Sequence, residues 1–301
     1  MFGKNKNIGI VCNDAGSANI IIYWIKKYKY NYFIKATGPA KKIFLEIIPK
    51  LIFEKKLSTV IKKSDLIISG TSAKSNIDHK ARYLSKENKK KVIGLLDHWT
   101  LYKEGFTYKN KILLPDEIWV TNKKAFNIAK NKFRKKILLK KNLLEYYVSR
   151  LKQKKDYKNF LYILEPLNKK IEFKLLLKFF NFIKKNNLQK KINLIFKIHP
   201  SENINKYKNF ISKNYNSNYK IINSNNIIKI IDWSDVVFGL RSYALVLSLK
   251  ANREVFTLLP ANNFKFTLPY KQIVTLNSIT INNIVRNILF LKLGFSYLCY
   301  A

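Results

Sequence analysis

The fold class follows from a stretch near the start of the chain, Ile8-Gly9-Ile10-Val11-Cys12-Asn13-Asp14-Ala15-Gly16. Its first five residues are small or apolar and predict a strand that is buried on both faces, and the residues after them predict a tight turn. Helical spacing follows through Ile20, Trp24 and Ile25. A buried strand that leads through a turn into a helix is the start of a βαβ unit, so we predict an α/β fold with a parallel sheet.

The same alternation of short apolar strands and longer periodic segments continues along the chain. In the first half, further strands are predicted over residues 33–36, 65–69, 91–96 and 117–120. After a Lys-rich polar segment, strands are predicted over residues 160–164, 194–198, 219–222, 235–238 and 255–259. We therefore predict two Rossmann-like parallel-sheet domains, residues 1–150 and 151–301, with a last helix over residues 281–293.

The composition has two interpretations. The 301 residues include 58 Lys+Arg against 18 Asp+Glu, a formal net charge of +40, yet 47% are hydrophobic, which excludes a disordered basic tail. Only six of the basic residues are arginine, and the remaining 52 are lysine. Lysine together with abundant Asn and Ile is typical of an AT-rich genome. The alternative is an anionic partner, but the scarcity of arginine argues against nucleic acid.

Targeting and metal signals are absent from the sequence. Cys12 and Cys299 lie far apart and predict neither a disulfide framework nor a zinc site. The apolar run at residues 8–12 is too short for a signal peptide, and no window approaches 18 uninterrupted apolar residues. No carboxylates cluster with His or Cys, and there is no Walker A motif. We expect a cytoplasmic protein without a bound metal.

Candidate site residues come from the rule that open parallel sheets bind ligands beyond the carboxyl ends of their strands. In the first half the candidates are Asp14, Gly16, Asp97, His98, Trp99 and Tyr102. Asp14 either caps the following helix or acts as a general base. The aromatic residues either line a sugar or acceptor groove or form the core of a loop. His79, in a polar segment, is predicted to lie at the surface.

In the second half, the same rule selects residues suited to a phosphate. The candidates are Glu165, Lys197, His199, Gly239, Arg241 and Ser242. His199, stiffened by Pro200, either donates to a phosphate and protonates a leaving oxygen or only bonds a backbone carbonyl. Residues 239–242 place a glycine, a guanidinium and a hydroxyl where a helix begins. They either bind a phosphate or form an ordinary helix cap beside a surface arginine.

Short motifs in a fixed order span most of the chain. They are Asn-Asp-Ala-Gly at 13–16, Asp-His-Trp at 97–99 with Tyr102, residues 115–120, residues 161–166, Lys-Ile-His-Pro at 197–200, and residues 234–239 with Ser242. This order resembles the GT-B glycosyltransferase superfamily, particularly the bacterial surface-polysaccharide enzymes that include sialyl-, polysialyl- and glycerophosphate-type transferases.

The resemblance implies two Rossmann-like domains facing a cleft, with the nucleotide-sugar held mainly by the second domain. His199 would contact the donor phosphate, residues 239–242 would hold phosphate at the helix start, and Asp14, or alternatively His98, would be the base. It also implies an inverting reaction without a tightly bound cofactor or metal. The co-substrate would be a CMP- or UDP-linked sugar, and the acceptor a glycan or lipid-linked glycan.

The chain also departs from the family pattern. Leu247 stands where many relatives carry a glutamate, and residues 252–255 replace a Gly-x-Pro-Val turn. One alternative is a nucleotide-sugar 2-epimerase, although that chemistry usually requires several carboxylates and the chain has few. Another is a basic, non-catalytic protein that binds anionic lipid or nucleic acid, or a degenerate scaffold. For the enzyme interpretation, the lysine-rich surface is compatible with a peripheral contact to an anionic inner membrane.

Overall fold

The computed structural model describes residues 6–72, 75–99, 102–108, 110–154, 156–259 and 266–276. The chain divides into two compact units, Met1–Tyr146 and Tyr147–Ala301, where the sequence predicts a join near residue 150. The last helix predicted from the sequence, residues 281–293, lies outside the described residues. No described helix is both long enough and apolar enough to cross a membrane.

The first unit contains a six-stranded parallel sheet. Its strands are β1 (Asn7–Cys12), β2 (Asn31–Ala36), β3 (Leu66–Ser69), β4 (Lys91–Leu96), β7 (Glu117–Val120) and β8 (Lys136–Leu139), with β5 (Thr107–Tyr108) and β6 (Lys111–Ile112) forming a separate antiparallel pair. The order across the sheet is β2-β1-β3-β4-β7-β8. The sequence order therefore reverses between β1 and β3, and this is the point where such sheets open a binding crevice.

The helices of the first unit connect these strands as parallel pairing requires. They are α1 (Ala15–Lys27), α2 (Gly38–Ile47), α3 (Leu57–Lys63), α4 (Ile77–Glu87), α5 (Lys123–Lys132) and α6 (Leu143–Val148), with a short 3-10 helix at Glu104–Phe106. The division between the two units falls within α6. Helix α1 buries an apolar face that includes Ile21 and Trp24, and it ends at Lys27 with basic residues in its last turn.

The second unit repeats the architecture with a different strand order. Its strands are β9 (Asn159–Ile163), β10 (Asn193–Lys197), β11 (Tyr219–Ile222), β12 (Val236–Gly239), β13 (Glu254–Thr257) and β14 (Val274–Thr275). Its helices are α7 (Lys169–Lys185), α8 (Asn205–Asn214), α9 (Ile227–Trp233) and α10 (Tyr243–Lys250). The order β11-β10-β9-β12-β13-β14 is that of a Rossmann sheet and reverses between β9 and β12.

The predicted fold class is confirmed: each unit is an α/β, Rossmann-like parallel sheet. Central strands are buried along their whole length, as in β3 and β12, which explains their continuous apolar sequences. Aromatic rings fill the second core, where Phe179 contacts Tyr162 and Phe238 at centroid distances of 4.8 and 4.9 Å. These cores fix the strand ends from which the candidate site residues emerge.

Candidate functional site

The carboxyl edge of the first sheet carries a cluster of carboxylates, here called the acidic edge: Asp14, Asp78 and Asp97. Asp14 follows β1, Asp97 follows β4, and Asp78 lies in the first turn of α4. The pKa of Asp78 is raised to about 7, mainly by burial and in smaller part by the neighbouring charges of Asp14 and Asp97. Burial likewise raises the pKa of Asp97, although His98 acts in the opposite direction. Carboxyl groups with raised pKa values are suited to proton transfer near neutral pH.

Asp14 occupies the N-cap position of α1, but its side chain makes no capping hydrogen bond. Its Oδ1 instead accepts from Asn13 Nδ2 at 3.0 Å and from the Ser72 hydroxyl at 2.9 Å. The capping interpretation of Asp14 is therefore wrong, because its carboxylate accepts from Asn13 and Ser72 and makes no hydrogen bond to the helix amides. The proposal that Asp14 is a base remains compatible with this geometry.

Gly16 has a steric role beside Asp97. A Cβ atom at position 16 would lie 1.8 Å from Asp97 Oδ2, so any larger residue would displace this carboxylate. Asp97 therefore sits against the first turn of α1, where the helix dipole favours a negative charge. His98 Nε2 lies 3.7 Å from Asp97 Oδ1, with the His98 side chain 31% exposed. The structure thus brings Gly16, Asp97 and His98 together, as expected from their strand ends.

The two predicted acceptor-side aromatic residues have different environments. Tyr102 is buried in a core cluster, and its hydroxyl lies 3.3 Å from the carbonyl oxygen of Ala125. The prediction that Tyr102 lines a groove is therefore wrong, since its side chain packs against Ala125 of α5 in this cluster. Trp99 packs at the margin of the same cluster, and its Nε1 donates to Asn122 Oδ1 at 3.0 Å.

A buried polar network on α4 was missed by the sequence analysis. His79, predicted to be exposed, is only 3% exposed, and Arg82 is fully buried. The Arg82 guanidinium donates to the carbonyl oxygens of Gly70 and Gly105, both at 2.8 Å. Burial lowers the pKa of Arg82 to about 10, while nearby Asp78 acts to raise it. The available signal was the rarity of arginine in this chain, because an uncommon residue type within a helix can indicate a specific contact.

The carboxyl edge of the second sheet carries basic side chains, here called the cationic edge: Lys197, His199 and Arg241. Lys197 ends β10, His199 follows it, and Arg241 follows β12. Since β10 and β12 are the two neighbours of β9, these residues flank the point where strand order reverses. Lys197 is 7% exposed, and its ammonium donates to the carbonyl oxygen of Ile198 at 3.1 Å.

His199 is held in one orientation by the turn that follows it. The backbone N–H of Ser201 donates to His199 Nδ1 at 3.2 Å, and the Ser201 hydroxyl lies 2.7 Å from the same atom. Because a backbone N–H can only donate, Nδ1 is the acceptor and the proton of the neutral imidazole is on Nε2. His199 therefore presents an N–H donor from Nε2, as a phosphate contact requires.

Glu165 occupies the start of α10, where the sequence analysis predicted a phosphate. Its Oε1 accepts from the backbone N–H groups of Leu240, Arg241 and Ser242 at 3.2, 2.7 and 2.6 Å. The side chain of Ser242 caps the helix by accepting from Ala244 N–H at 3.2 Å. The prediction that Glu165 and these backbone amides together bind phosphate therefore needs correction: the carboxylate already satisfies the amides, and the Arg241 side chain remains the phosphate candidate.

Burial and hydrogen bonding act in opposite directions on Glu165. Burial raises its pKa, whereas the N–H groups of Arg241 and Ser242 act to lower it. Gly239 precedes this turn; a Cβ there would approach Leu245 Cδ2 to 3.0 Å, so glycine allows close packing of α10. Leu247 is buried and contributes to packing.

Among the described residues, no group of three or more His, Cys, Asp or Glu side chains could hold a metal ion. Within the acidic edge, Asp78 Oδ2 accepts from the Ser72 N–H at 2.9 Å. Arg253, in the segment that replaces the expected turn, is 3% exposed and donates to the carbonyl oxygens of Ile231 and Lys152. It is a structural residue of the second unit.

The two Rossmann-like units define a GT-B-like fold, and solved structures agree. The UDP-GlcNAc 2-epimerase of Neisseria meningitidis, solved with UDP-GlcNAc, is similar with a TM-score of 0.62 and 10% identity over 96% of this chain and 92% of that one. The enzyme of the same name from Methanocaldococcus jannaschii, solved with UDP-GlcNAc and UDP, has a TM-score of 0.57 and 11% identity over 96% and 93%.

A transferase shares the same fold. The E. coli ADP-heptose LPS heptosyltransferase II is similar with a TM-score of 0.53 and 10% identity, over 96% of this chain and 98% of that one. No described protein family matches the sequence. No curated protein matches it either. These similarities establish the fold, and the argument for function rests on the two edges.

Proposed function

We propose that this protein is a nucleotide-sugar-dependent glycosyltransferase that inverts the anomeric centre without a metal ion. The observation that carries the proposal is the placement of Lys197, His199 and Arg241 at the carboxyl edge of the second sheet, beside the point where the strand order reverses. Open α/β sheets usually bind ligands at such points, and these basic side chains are complementary to the negative charge of a phosphate or diphosphate. The GT-B-like fold relatives that were solved with UDP-sugars support the same substrate class.

In this proposal the acidic edge activates the acceptor. Asp14, or alternatively His98, removes the proton of an acceptor hydroxyl as its oxygen attacks the anomeric carbon. The bond from that carbon to the donor phosphate oxygen breaks, and the electron pair leaves with the nucleotide. His199 and Arg241 stabilise the departing phosphate, with Lys197 behind them. A CMP- or UDP-linked donor and a glycan or lipid-linked acceptor follow from the family resemblance.

A direct test is ligand-dependent thermal stability. We expect one of CMP, UDP, GDP or a CDP-linked ligand to raise the melting temperature, since binding at about 100 times Kd stabilises by about 2.7 kcal/mol. The His199→Ala and Arg241→Ala variants should lose this shift. Arg150→Ala is the matched control, because Arg150 is an exposed arginine of the same unit. If no nucleotide shifts the melting temperature, the assignment of donor binding is wrong.

A second candidate, a nucleotide-sugar 2-epimerase, is supported by the acidic edge. This alternative was weakened by the small number of carboxylates in the sequence, but Asp14, Asp78 and Asp97 interact at one edge. The two functions differ in what happens without an acceptor. An epimerase acting by proton removal at carbon 2 would introduce deuterium there when UDP-GlcNAc is incubated in D2O, as observed by NMR. The proposed transferase should leave carbon 2 unlabelled and transfer sugar only when an acceptor is present.

A basic, non-catalytic binding protein is less well supported. Exposed lysines occur on helices of both units, for example Lys41, Lys63 and Lys124 in the first and Lys174 and Lys229 in the second. Such a spread is what genome composition predicts, whereas a binding module would concentrate lysines on one face. A peripheral contact with an anionic membrane stays a proposal, tested by cosedimentation with vesicles that contain phosphatidylglycerol.

A further inference from the structure

We infer that the first turns of α4 form a positioning device for Asp14, acting through Ser72. The inference rests on the proposed function insofar as Asp14 is the base. It concerns residues that the sequence analysis either overlooked or took for surface residues: Ser72, Asp78, His79 and Arg82. All four are buried, with exposures of 3% or less. They join the acidic edge to the interior of the first unit.

The first step is the orientation of the Ser72 hydroxyl. Its oxygen accepts from the backbone N–H of Ser75 at 3.1 Å and lies 3.3 Å from the donor Asn13 Nδ2. With two donors directed at the oxygen, its own hydrogen is left to point at Asp14 Oδ1, 2.9 Å away. Asn13 Nδ2 also donates to this same Oδ1 at 3.0 Å. The carboxylate of Asp14 is therefore fixed through one oxygen.

The second step is that α4 holds Ser72 by both of its backbone groups. Asp78 Oδ2 accepts from the Ser72 N–H at 2.9 Å, and His79 Nε2 lies 3.0 Å from the Ser72 carbonyl oxygen. Because a carbonyl oxygen only accepts, His79 Nε2 carries a hydrogen, and Nδ1 of the neutral ring is an acceptor. That acceptor faces Arg82 Nη2 at 2.6 Å. Burial lowers the pKa of His79, and Arg82 lowers it further, which favours this neutral form.

The third step is the anchoring of Arg82 itself. Its Nη1 donates to the Gly70 carbonyl oxygen at 2.8 Å and to the Ser69 hydroxyl at 3.2 Å. Its Nη2 reaches the Gly105 carbonyl oxygen at 2.8 Å, so the guanidinium ties β3 to the segment after β4. A rigid base of this kind is valuable because small displacements of a catalytic group cost large factors in rate. Ser72, Asp78, His79 and Arg82 are thus positioning residues, and none of them needs to touch the substrate.

The decisive variant is Ser72→Ala, which removes the hydrogen bond to Asp14 and leaves the Ser72 backbone bonds in place. Its matched control is Ser85→Ala, because Ser85 is a buried serine of α4 whose hydroxyl donates to the Ala81 carbonyl oxygen at 2.6 Å. We expect Ser72→Ala to lower kcat about tenfold with an unchanged KM for the donor. Ser85→Ala should leave both kcat and KM unchanged.

A second measurement is independent of turnover. The chain has only eight aspartates, so selective carboxyl ¹³C labelling gives few resonances, and Asp14→Asn identifies that of Asp14 by its loss. We expect the carboxyl ¹³C chemical shift of Asp14 to change in Ser72→Ala and in His79→Leu, to return toward the native value in His79→Gln, and to stay unchanged in Ser85→Ala.

Two outcomes are decisive in different ways. If the carboxyl ¹³C chemical shift of Asp14 in Ser72→Ala equals that in Ser85→Ala, the positioning role is overturned, whatever the activity. If the native protein turns over no nucleotide-sugar while this chemical shift changes as expected, the proposed function fails and the positioning network stands.

Discussion

The carboxyl edges of the two sheets carry opposite charges, although the sheets share one architecture. The acidic edge holds Asp14, Asp78 and Asp97, and burial raises the pKa of two of them. The cationic edge surrounds a single carboxylate, Glu165, with three backbone donors and places Arg241 beside it. One edge is suited to accept a proton and the other to hold an anion. The same strand-end rule selects both places, and the side-chain chemistry decides what each can do.

The largest expected effect is a loss of turnover without a loss of nucleotide binding, which distinguishes the role of the acidic edge from that of the cationic edge. Asp14→Asn keeps the size of the side chain but removes the base, so kcat should fall about a thousandfold. Nucleotide binding, measured by thermal shift, should be unchanged, because the phosphate is assigned to the other edge. Asp116→Asn is the control: Asp116 accepts from the Val92 N–H at 2.8 Å, at the opposite end of β4. Full activity in Asp14→Asn would show that Asp14 is not the base and would leave His98 as the candidate.

The amino end of the first sheet shows how a carboxylate behaves when lysines surround it. Glu117 is 5% exposed, and its Oε1 lies 2.8 Å from Lys91 Nζ and 2.9 Å from Lys136 Nζ. Burial acts to raise the pKa of Glu117, but the hydrogen bonds from Lys91, Lys136 and Trp119 outweigh it and lower the pKa to about 2. The pKa of Glu117 is therefore shifted in the opposite direction to that of Asp78, and Glu117 is a residue that stabilises the fold.

Glu117→Gln should therefore reduce the free energy of unfolding by about 2 kcal/mol at pH 7, a value discounted because both lysines are half exposed or more. A carboxyl whose folded pKa is depressed stabilises above its unfolded pKa of about 4.3 and loses this contribution as pH falls toward the folded pKa. The difference from the native protein should narrow below about pH 5, measured by urea unfolding. Glu54→Gln, in the more exposed pair with Lys63, should change stability by less than about 0.5 kcal/mol at any pH. A constant difference from pH 7 to pH 4 would contradict the charge argument.

The sequence predicted the central part of the fold because central strands are apolar along their whole length. All ten predicted strands are present, from β1 to β13, within two residues at each end. It missed β8 and β14, which lie at sheet edges, and the short antiparallel pair β5 and β6. An edge strand such as Lys136–Leu139 is only half buried and begins with an exposed lysine, so its pattern does not differ from that of a loop.

Candidate site residues were predicted correctly where their place at the end of a strand determines their location. They were missed where their environment depends on contacts with residues distant in sequence. Asp14, Asp97 and His199 follow strands and were found from that fact alone. No local pattern indicates that Glu165 bonds amides 75 to 77 residues away, or that Arg82 reaches Gly105. Tyr102 was misassigned for the same reason, because its burial depends on how the loop packs against α5. Buried polar networks are tertiary features, and the sequence offers only the rarity of arginine as a hint.

The smallest expected effect tests whether Glu165 belongs with the cationic edge or opposes it. The sequence analysis grouped Glu165 with the donor-binding residues, which predicts weaker nucleotide binding when its charge is removed. The structure suggests the opposite sign, because the carboxylate uses the amides at the start of α10 and adds a negative charge near the proposed phosphate site. In Glu165→Gln the side-chain carbonyl can still accept from those amides, so the turn should persist.

We expect the nucleotide affinity of Glu165→Gln, measured by calorimetry, to rise about threefold, which is the scale of one screened charge. Glu202→Gln, which removes a carboxylate bonded to Tyr207 in the same unit, should leave affinity unchanged. Weaker nucleotide binding in Glu165→Gln would instead assign Glu165 to the donor site. Its three hydrogen bonds from backbone N–H groups would then belong to the protein without ligand and would be exchanged for contacts with the donor on binding.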